Sequence, residues 1–280
     1  MTPVHFDHVL IQLSTPDFES PPSWLTENFT IIEGGTHTGN RTQNKLIILP
    51  DNTYIELLNI IRPQDDFHGY PGDFALTTIS PFSANDNYRR LTGALAHPPG
   101  DGGLGVTYTP PQAGGRTTPR GEEIRWELVR PSYSNTDSIL EGTAKRPTDT
   151  PFFCHDVTDR GLRVPMDPTG RKHSSGASGL EAIEVLVPRE KVQAYMDLYT
   201  SVLGVAGRRR SGTGDEVEFP LRAPGSSESS GVVRLRVPRG TEDERYLRER
   251  GVGVSALVIK LKGEETPLKL PIAAHYLRGP

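Results

Sequence analysis

The sequence predicts an α+β fold in which tandem β-α-β-β-β modules build one large, curved mixed sheet with helices on its outer face. A strand stopped by proline and followed by a helix occurs three times, at residues 4–28, 74–94 and 180–203. The composition of 34% apolar residues, 29 glycines and 25 prolines favours many short strands over a helical bundle. Because one module buries little surface alone, we expect residues 1–66, 67–170 and a partial third module, 171–280, to pack together.

The first module is predicted from alternating apolar strands. Pro21 and Pro22 open its helix, since proline is tolerated in a first helical turn. The turn Pro50-Asp51-Asn52 joins its last two strands. The predicted elements are strands at 4–13, 29–33, 45–49 and 53–60 and a helix at 23–28.

The second and third modules repeat this order with longer loops. Pro81 and Pro188 each stop a strand, and Gly204 follows an amphipathic helix as its C-cap. Turn-rich composition predicts loops at 115–123 and 131–150. The predicted strands are 74–79, 103–109, 124–129, 151–156, 180–187, 217–221, 232–237 and 253–261, and the predicted helices are 85–94, 189–203 and 242–250.

Composition and missing motifs exclude several classes of function. The chain carries 31 basic and 35 acidic residues, well mixed, so no nucleic-acid surface is expected. Residues 1–14 show neither the basic nor the apolar region typical of a signal peptide, and no apolar run reaches membrane-spanning length. The single cysteine, Cys154, excludes an internal disulfide, and no phosphate-binding loop, dinucleotide fingerprint or nucleophile elbow is present. We therefore expect a cytoplasmic protein whose partner is a small molecule, with a homodimer left open.

Side-chain alternation selects the first candidate site residues. Phe6, His8 and Leu10 share one face of the first strand, and Tyr54 and Glu56 share one face of the fourth. A carboxylate amid apolar neighbours lies at a rim in water or faces a pocket, where it must be paired.

Five short segments, which lie in order along residues 5–190, carry a resemblance to a known family. They are FDHV at 6–9, TQNKL at 42–46 with YIEL at 54–57, RTTPRGEEIRW at 116–126, PFF at 151–153 and HSSGASGL at 173–180. Together they resemble the vicinal oxygen chelate superfamily, and within it the glyoxalase-like domain family, its third glyoxalase-like group. The resemblance implies a cup-shaped sheet that binds a small oxygenated molecule. In metal-using members, His and Glu side chains hold a divalent ion that chelates adjacent substrate oxygens.

The resemblance implies a metal site and leaves a metal-free alternative. His8 and Glu56 match the ligand positions of the first module, with His155 or Asp156 as a third ligand from the second. Such ligands suit Zn, Mn, Fe or Ni. Alternatively no metal binds, and His8 and Glu56 act directly as acid and base. The second module offers no strong ligand near Phe74, so lactoylglutathione lyase activity is not expected.

Further candidates each have a functional and a structural interpretation. Asn44 bonds a ligand oxygen or caps a turn, and Arg116, like Arg120 and Arg125, clamps an anion or faces solvent. His173 folds over the cup as a general base or lies in an exposed loop. Tyr54, Trp126 and Phe153 form pocket walls or core, and Cys154 is expected in the helix layer. The function is then a lyase or isomerase type of enzyme or, alternatively, a non-catalytic binding protein.

Overall fold

The computed structural model describes residues 4–61, 73–97, 100–133, 149–210, 216–226, 231–263 and 266–271. The described elements in chain order are β1 (Val4–Gln12), α1 (Thr15–Glu19), α2 (Ser23–Thr26), β2 (Ile32–His37), β3 (Thr42–Ile48), β4 (Tyr54–Ile60), β5 (Asp73–Thr78), α3 (Ala84–Leu95), β6 (Val106–Tyr108), β7 (Gln112–Thr117), β8 (Glu123–Val129), β9 (Pro131–Tyr133), β10 (Phe152–Asp156), α4 (Arg160–Arg163), β11 (Ala177–Leu186), α5 (Val192–Leu203), β12 (Arg208–Arg209), β13 (Val217–Leu221), β14 (Gly231–Arg236), α6 (Thr241–Arg250), β15 (Gly253–Leu261) and β16 (Leu268–Pro271).

Eight of these strands close into a barrel with the order β1-β4-β3-β2-β7-β8-β10-β5. The two halves have the same plan, because β1 is parallel to β4 and β5 is parallel to β10. Antiparallel pairs β1–β5 and β2–β7 join the halves. The predicted α+β fold of tandem modules is therefore confirmed, and its curved sheet is closed.

The third module forms a separate six-stranded sheet, ordered β12-β13-β14-β11-β15-β16. It repeats the plan of the first module, since β11 is parallel to β14 and antiparallel to β15. Helix α5 packs on this sheet and ends at Gly204 in the left-handed conformation, with φ 70°. The hydroxyl groups of Tyr195 and Tyr199 in α5 donate to the side chain and the backbone carbonyl of Asp149, at 2.6 and 2.7 Å.

No helix among the described residues is long and apolar enough to cross a bilayer.

The apolar core lies mainly outside the barrel, between the strands, the helices and the second sheet. Phe6, Val9, Phe74 and Phe153 belong to this outer core and are almost completely buried. The inward faces carry only two small apolar clusters, one of which contains Trp126. Because most of the apolar core lies outside the barrel, the barrel interior keeps space for a ligand.

Three expectations for the second module are wrong. Residues 115–117, predicted as part of a loop at 115–123, belong to β7, in which Gly114 and Gly115 pair with β8 and Arg116 and Thr117 pair with both β2 and β8. The strand predicted at 103–109 is the short β6, which pairs with β9 in a two-stranded ribbon outside the barrel. The loop predicted at 131–150 contains β9, and its residues 134–148 lie outside the described residues.

Candidate active site

A cavity of about 510 Å³ occupies the barrel interior. This volume lies within the range of small-molecule sites, roughly 300–1,000 Å³. Its wall combines aromatic and aliphatic side chains with a few charged and amide groups, contributed by strands of both halves. The lining side chains include His8, His37, Asn44, Tyr54, Glu56, Arg116, Trp126, Phe152, Cys154 and Arg163.

A β-bulge in β1 sets the position of His8. Phe6 pairs with Leu76 and His8 pairs with Ala75, so Asp7 between them has no partner on β5. A bulge re-aims the side chains beside it. Phe6 therefore packs in the outer core while His8 lines the cavity, which corrects the expectation that the two share a face. The Asp7 carboxylate lies 2.7 Å from Nδ1 of His8.

Two arginines neutralise Asp7 below the cavity floor. Arg163 binds it with two hydrogen bonds, of 2.7 and 3.0 Å, and Arg160 adds a third, of 2.6 Å. Arg163 also donates from Nε to Asp156, at 2.5 Å, and from Nη1 to the hydroxyl of Tyr54, at 2.7 Å. Burial alone would raise the pKa of Asp7, but Arg163 and Arg160 hold that pKa well below its ordinary value. Two carboxylates and two guanidinium groups form a charge-balanced cluster that fixes Asp7 behind His8.

Glu56 faces the cavity from β4, on the predicted face that also carries Tyr54. Its Oε1 accepts a 2.7 Å hydrogen bond from the amide of Asn44. Its two oxygens lie 3.4 Å from Nε2 of His8 and 3.5 Å from Nε2 of His37. The carboxyl group thus lies between two imidazole rings. Glu56 is buried, with 6% of its surface exposed.

Charge inside the cavity is set by burial and by neighbouring groups. Burial opposes ionisation of Glu56, but His37, His8, the Asn44 hydrogen bond and Arg116 together lower its pKa. Burial also lowers the pKa of His37, and nearby Arg116 adds to this effect. At neutral pH the cavity therefore holds an ionised Glu56 beside a neutral His37. His37 is a cavity residue that the sequence analysis did not select.

Glycine makes room for two of the cavity side chains. A Cβ atom on Gly34 would lie 2.1 Å from Oδ1 of Asn44, so only glycine lets this amide turn inward toward Glu56. A Cβ atom on Gly114 would lie 2.4 Å from Nε1 of Trp126, whose ring lies across β7. The glycines of β2 and β7 therefore shape the cavity wall.

Replacement of Gly34 by alanine is expected to destabilise the fold by about 1–3 kcal/mol, because the added methyl group overpacks the site of Asn44. Gly93 offers a matched control, since a Cβ atom there in α3 meets nothing within 4 Å. Gly93→Ala is expected to stabilise the protein by about 0.5–1 kcal/mol through helix propensity. Urea denaturation of both variants measures the difference, and equal shifts would contradict the packing argument.

The glyoxalase-like domain family matches this sequence over residues 6–203, which is more than half of the chain. The chain belongs to the glyoxalase-like domain family. A hypothetical protein from Staphylococcus aureus has a similar crystal structure, with a TM-score of 0.57 and 15% identity over 84% of this chain and 87% of that one. A mutant of 4-hydroxymandelate synthase from Streptomyces coelicolor aligns with a TM-score of 0.47 and 11% identity, over 92% and 71% of the two chains. No protein with a curated description matches the sequence.

Most of the candidate residues line the cavity of this glyoxalase-like protein, namely His8, Asn44, Tyr54, Glu56, Arg116 and Trp126. Two candidates from β10, Phe153 and His155, do not. The inward side chains of β10 are Phe152 and Cys154. Phe153 and His155 point the other way, so the alternation of this strand is opposite in phase to the prediction. His155 lies 3.2 Å from the hydroxyl of Thr78, and burial lowers its pKa to about 4.

His173 is also absent from the cavity lining, which corrects its predicted place over the cup. Its Nδ1 accepts a hydrogen bond from the backbone N–H of Thr30, at 3.1 Å. Its Nε2 must then carry the proton that it donates to the carbonyl of Ile48, at 3.0 Å. Both nitrogens bind backbone, so His173 ties the chain before β11 to the first module and has no nitrogen left for substrate.

The three-ligand metal site that the family resemblance implied, with His8, Glu56 and His155 or Asp156, is not assembled in the cavity, because neither His155 nor Asp156 lines it. His155 faces away, and the inner faces of β5 and β10 offer Ala75 and Cys154. Burial raises the pKa of the Cys154 thiol. Among the residues that the structure describes, no group of three or more His, Cys, Asp or Glu side chains is arranged to hold a metal ion.

Proposed function

We propose that this glyoxalase-like protein is an enzyme that removes a proton from the carbon next to a carbonyl group of a small oxygenated molecule. Lyase and isomerase reactions of such molecules begin with this step. The observation that carries the proposal is Glu56, an ionised carboxylate that is buried in a ligand-sized cavity between two imidazole rings. Positioned carboxylates act as general bases when they lie within reach of the proton.

Glu56 takes the proton, and His8 receives it next. Asp7 accepts the Nδ1 proton of His8 and leaves Nε2 with a lone pair that faces Glu56, 3.4 Å away. Once Glu56 is protonated, it donates to Nε2, and the negative charge of Asp7 stabilises the imidazolium ion that forms. The pair then returns the proton to a second carbon, as in an isomerase, or to a leaving group, as in a lyase.

Asn44 and Tyr54 keep the two groups in place. The Asn44 amide donates to Oε1 of Glu56, which directs the other oxygen toward His8. The Tyr54 ring stacks on His8 with centroids 4.6 Å apart, and its hydroxyl is held by Arg163. Orientation of this kind lowers the barrier because the reacting groups are placed before substrate arrives.

Exchange of hydrogen for deuterium tests the proposal without knowledge of the physiological substrate. Chelator-treated protein is incubated in D₂O with a panel of 2-oxo acids, 2-hydroxy acids and neutral ketones, and proton NMR follows the signal beside the carbonyl group. We expect exchange faster than the protein-free rate for at least one compound, without added metal. Exchange that appears only after addition of Zn, Mn, Fe or Ni would contradict direct proton transfer. Binding without exchange under any condition would leave the alternative of a non-catalytic binding protein.

A further inference from the structure

Arg116 is buried beside the cavity with part of its hydrogen-bonding capacity unused. Its side chain is 4% exposed and lines the cavity wall. Nη2 donates to the backbone carbonyl of Arg163, at 3.0 Å, and Nη1 makes a long contact of 3.4 Å with Oδ1 of Asn44. Nε is buried without a hydrogen-bond partner among the described residues.

The neighbouring Arg163 shows how this protein satisfies a buried guanidinium group. Arg163 binds the carboxylates of Asp7 and Asp156, whereas no carboxylate among the described residues forms a salt bridge with Arg116. Burial of a charge is costly unless an opposite charge and hydrogen bonds compensate for it. The part of Arg116 that faces the cavity is therefore suited to bind an anion. Guanidinium groups bind carboxylates through two parallel hydrogen bonds.

We propose that the substrate is a small monocarboxylic acid whose carboxylate binds Arg116 and whose apolar body packs against Trp126 and Phe152. This inference rests on the proposed function, since it names the substrate class for the same cavity. The lining contains three arginines and no lysine. Arg163 is paired with Asp7 and Asp156, and Arg130 lies over the Phe152 ring, so we place the single carboxylate on Arg116.

The position of Arg116 also fits the proposed chemistry. Only the Asn44 amide separates the guanidinium group from the base, because Asn44 contacts Arg116 through Oδ1 and Glu56 through Nδ2. A carboxylate held by Arg116 therefore brings the adjacent carbon of the acid toward the Glu56 oxygens. When that carbon loses its proton to Glu56, the carboxylate becomes an enediolate with a second negative charge, which the same guanidinium group stabilises.

Part of the cavity lining is apolar. Trp126 and Phe152 contribute aromatic rings, and Leu10, Leu58 and Leu128 add aliphatic surface. Aromatic side chains bury large apolar areas and bind flat rings well. The occupant is accordingly an acid with an aromatic or branched apolar body.

Isothermal titration calorimetry with matched acids and amides tests the inference. The probes are acetate, phenylacetate, 3-phenylpropanoate and indole-3-acetate, each paired with its neutral primary amide. We expect at least one acid to bind at least tenfold tighter than its amide. Arg116→Gln removes this preference, Arg116→Lys keeps part of it, and Arg125→Gln, which removes an exposed arginine from adjacent β8, leaves it unchanged.

The outcomes separate this inference from the proposed function. Equal binding of every acid and its amide, or an acid preference that survives in a folded Arg116→Gln variant, would overturn the role of Arg116. Circular dichroism establishes that the variant is folded, and Arg116→Lys supplies the readout if it is not. An acid preference without hydrogen exchange would confirm Arg116 as the anchor and contradict the proposed proton transfer.

Discussion

Replacement of Arg163 by methionine is expected to destabilise the protein by about 3–5 kcal/mol, because it leaves the buried carboxylate of Asp7 without its main partner. Arg163 supplies two of the three guanidinium hydrogen bonds to Asp7, and both side chains are at most 2% exposed. A double variant, Asp7→Asn with Arg163→Met, removes charge and partner together and should recover much of the loss. Urea denaturation at neutral pH measures all three proteins, and a double variant no more stable than Arg163→Met would contradict this account.

The pH dependence of the same variants gives an independent test. In the wild-type protein the pKa of Asp7 is held well below its ordinary value, so its stabilisation is complete above about pH 4 and is lost as the pH falls further. Without Arg163, burial is opposed only by Arg160 and His8, so we expect the pKa of Asp7 to rise. The Arg163→Met variant should therefore gain stability relative to wild type as the pH falls from about 7 to about 5. A constant difference over this range would show that Asp7 is not the group left unpaired.

The Glu56→Gln variant is expected to exchange the substrate proton about 10²–10⁴ times more slowly than wild type, since the amide has nearly the same shape and cannot act as a base. Binding of the acid to Arg116 should persist. Glu123 on β8 is exposed, so Glu123→Gln removes the same charge without touching the cavity. The measurement is the NMR exchange rate of each variant with the best compound of the panel.

The pH profile identifies the base more closely. Because the surrounding groups lower the pKa of Glu56, the carboxylate stays ionised below its ordinary value of 4.5. Wild-type exchange should therefore not decline on the acid side until the pH is below that value, as long as the protein remains folded. A decline centred near pH 6.5 would point to a histidine as the base in its place.

Part of the site could be predicted from the sequence because β4 is a regular strand. Strict alternation places Tyr54 and Glu56 on one face, and both line the cavity. His8 was selected for the right side of the sheet with the wrong neighbours, since the bulge at Asp7 changes the alternation of β1. A bulge depends on pairing with β5, which local sequence does not reveal.

The remaining residues depend on long-range contacts. The predicted second strand ends at residue 33, yet Gly34 and Gly35 continue β2 as far as His37 because β3 and β7 pair with it. If the predicted strand had been extended through these glycines, it would have included His37 and placed that residue in the cavity. Arg163 lies in a short helix after β10 and meets Asp7 across more than half the chain, so no local pattern predicts their pairing.

A crystal structure of the Glu56→Gln variant with the tightest acid of the panel tests the central claim most directly. We expect the ligand inside the barrel, with its carboxylate on Arg116 and the adjacent carbon within about 3.5 Å of the side chain of residue 56. A ligand bound outside the barrel, or one whose carboxylate points away from Arg116, would contradict the account.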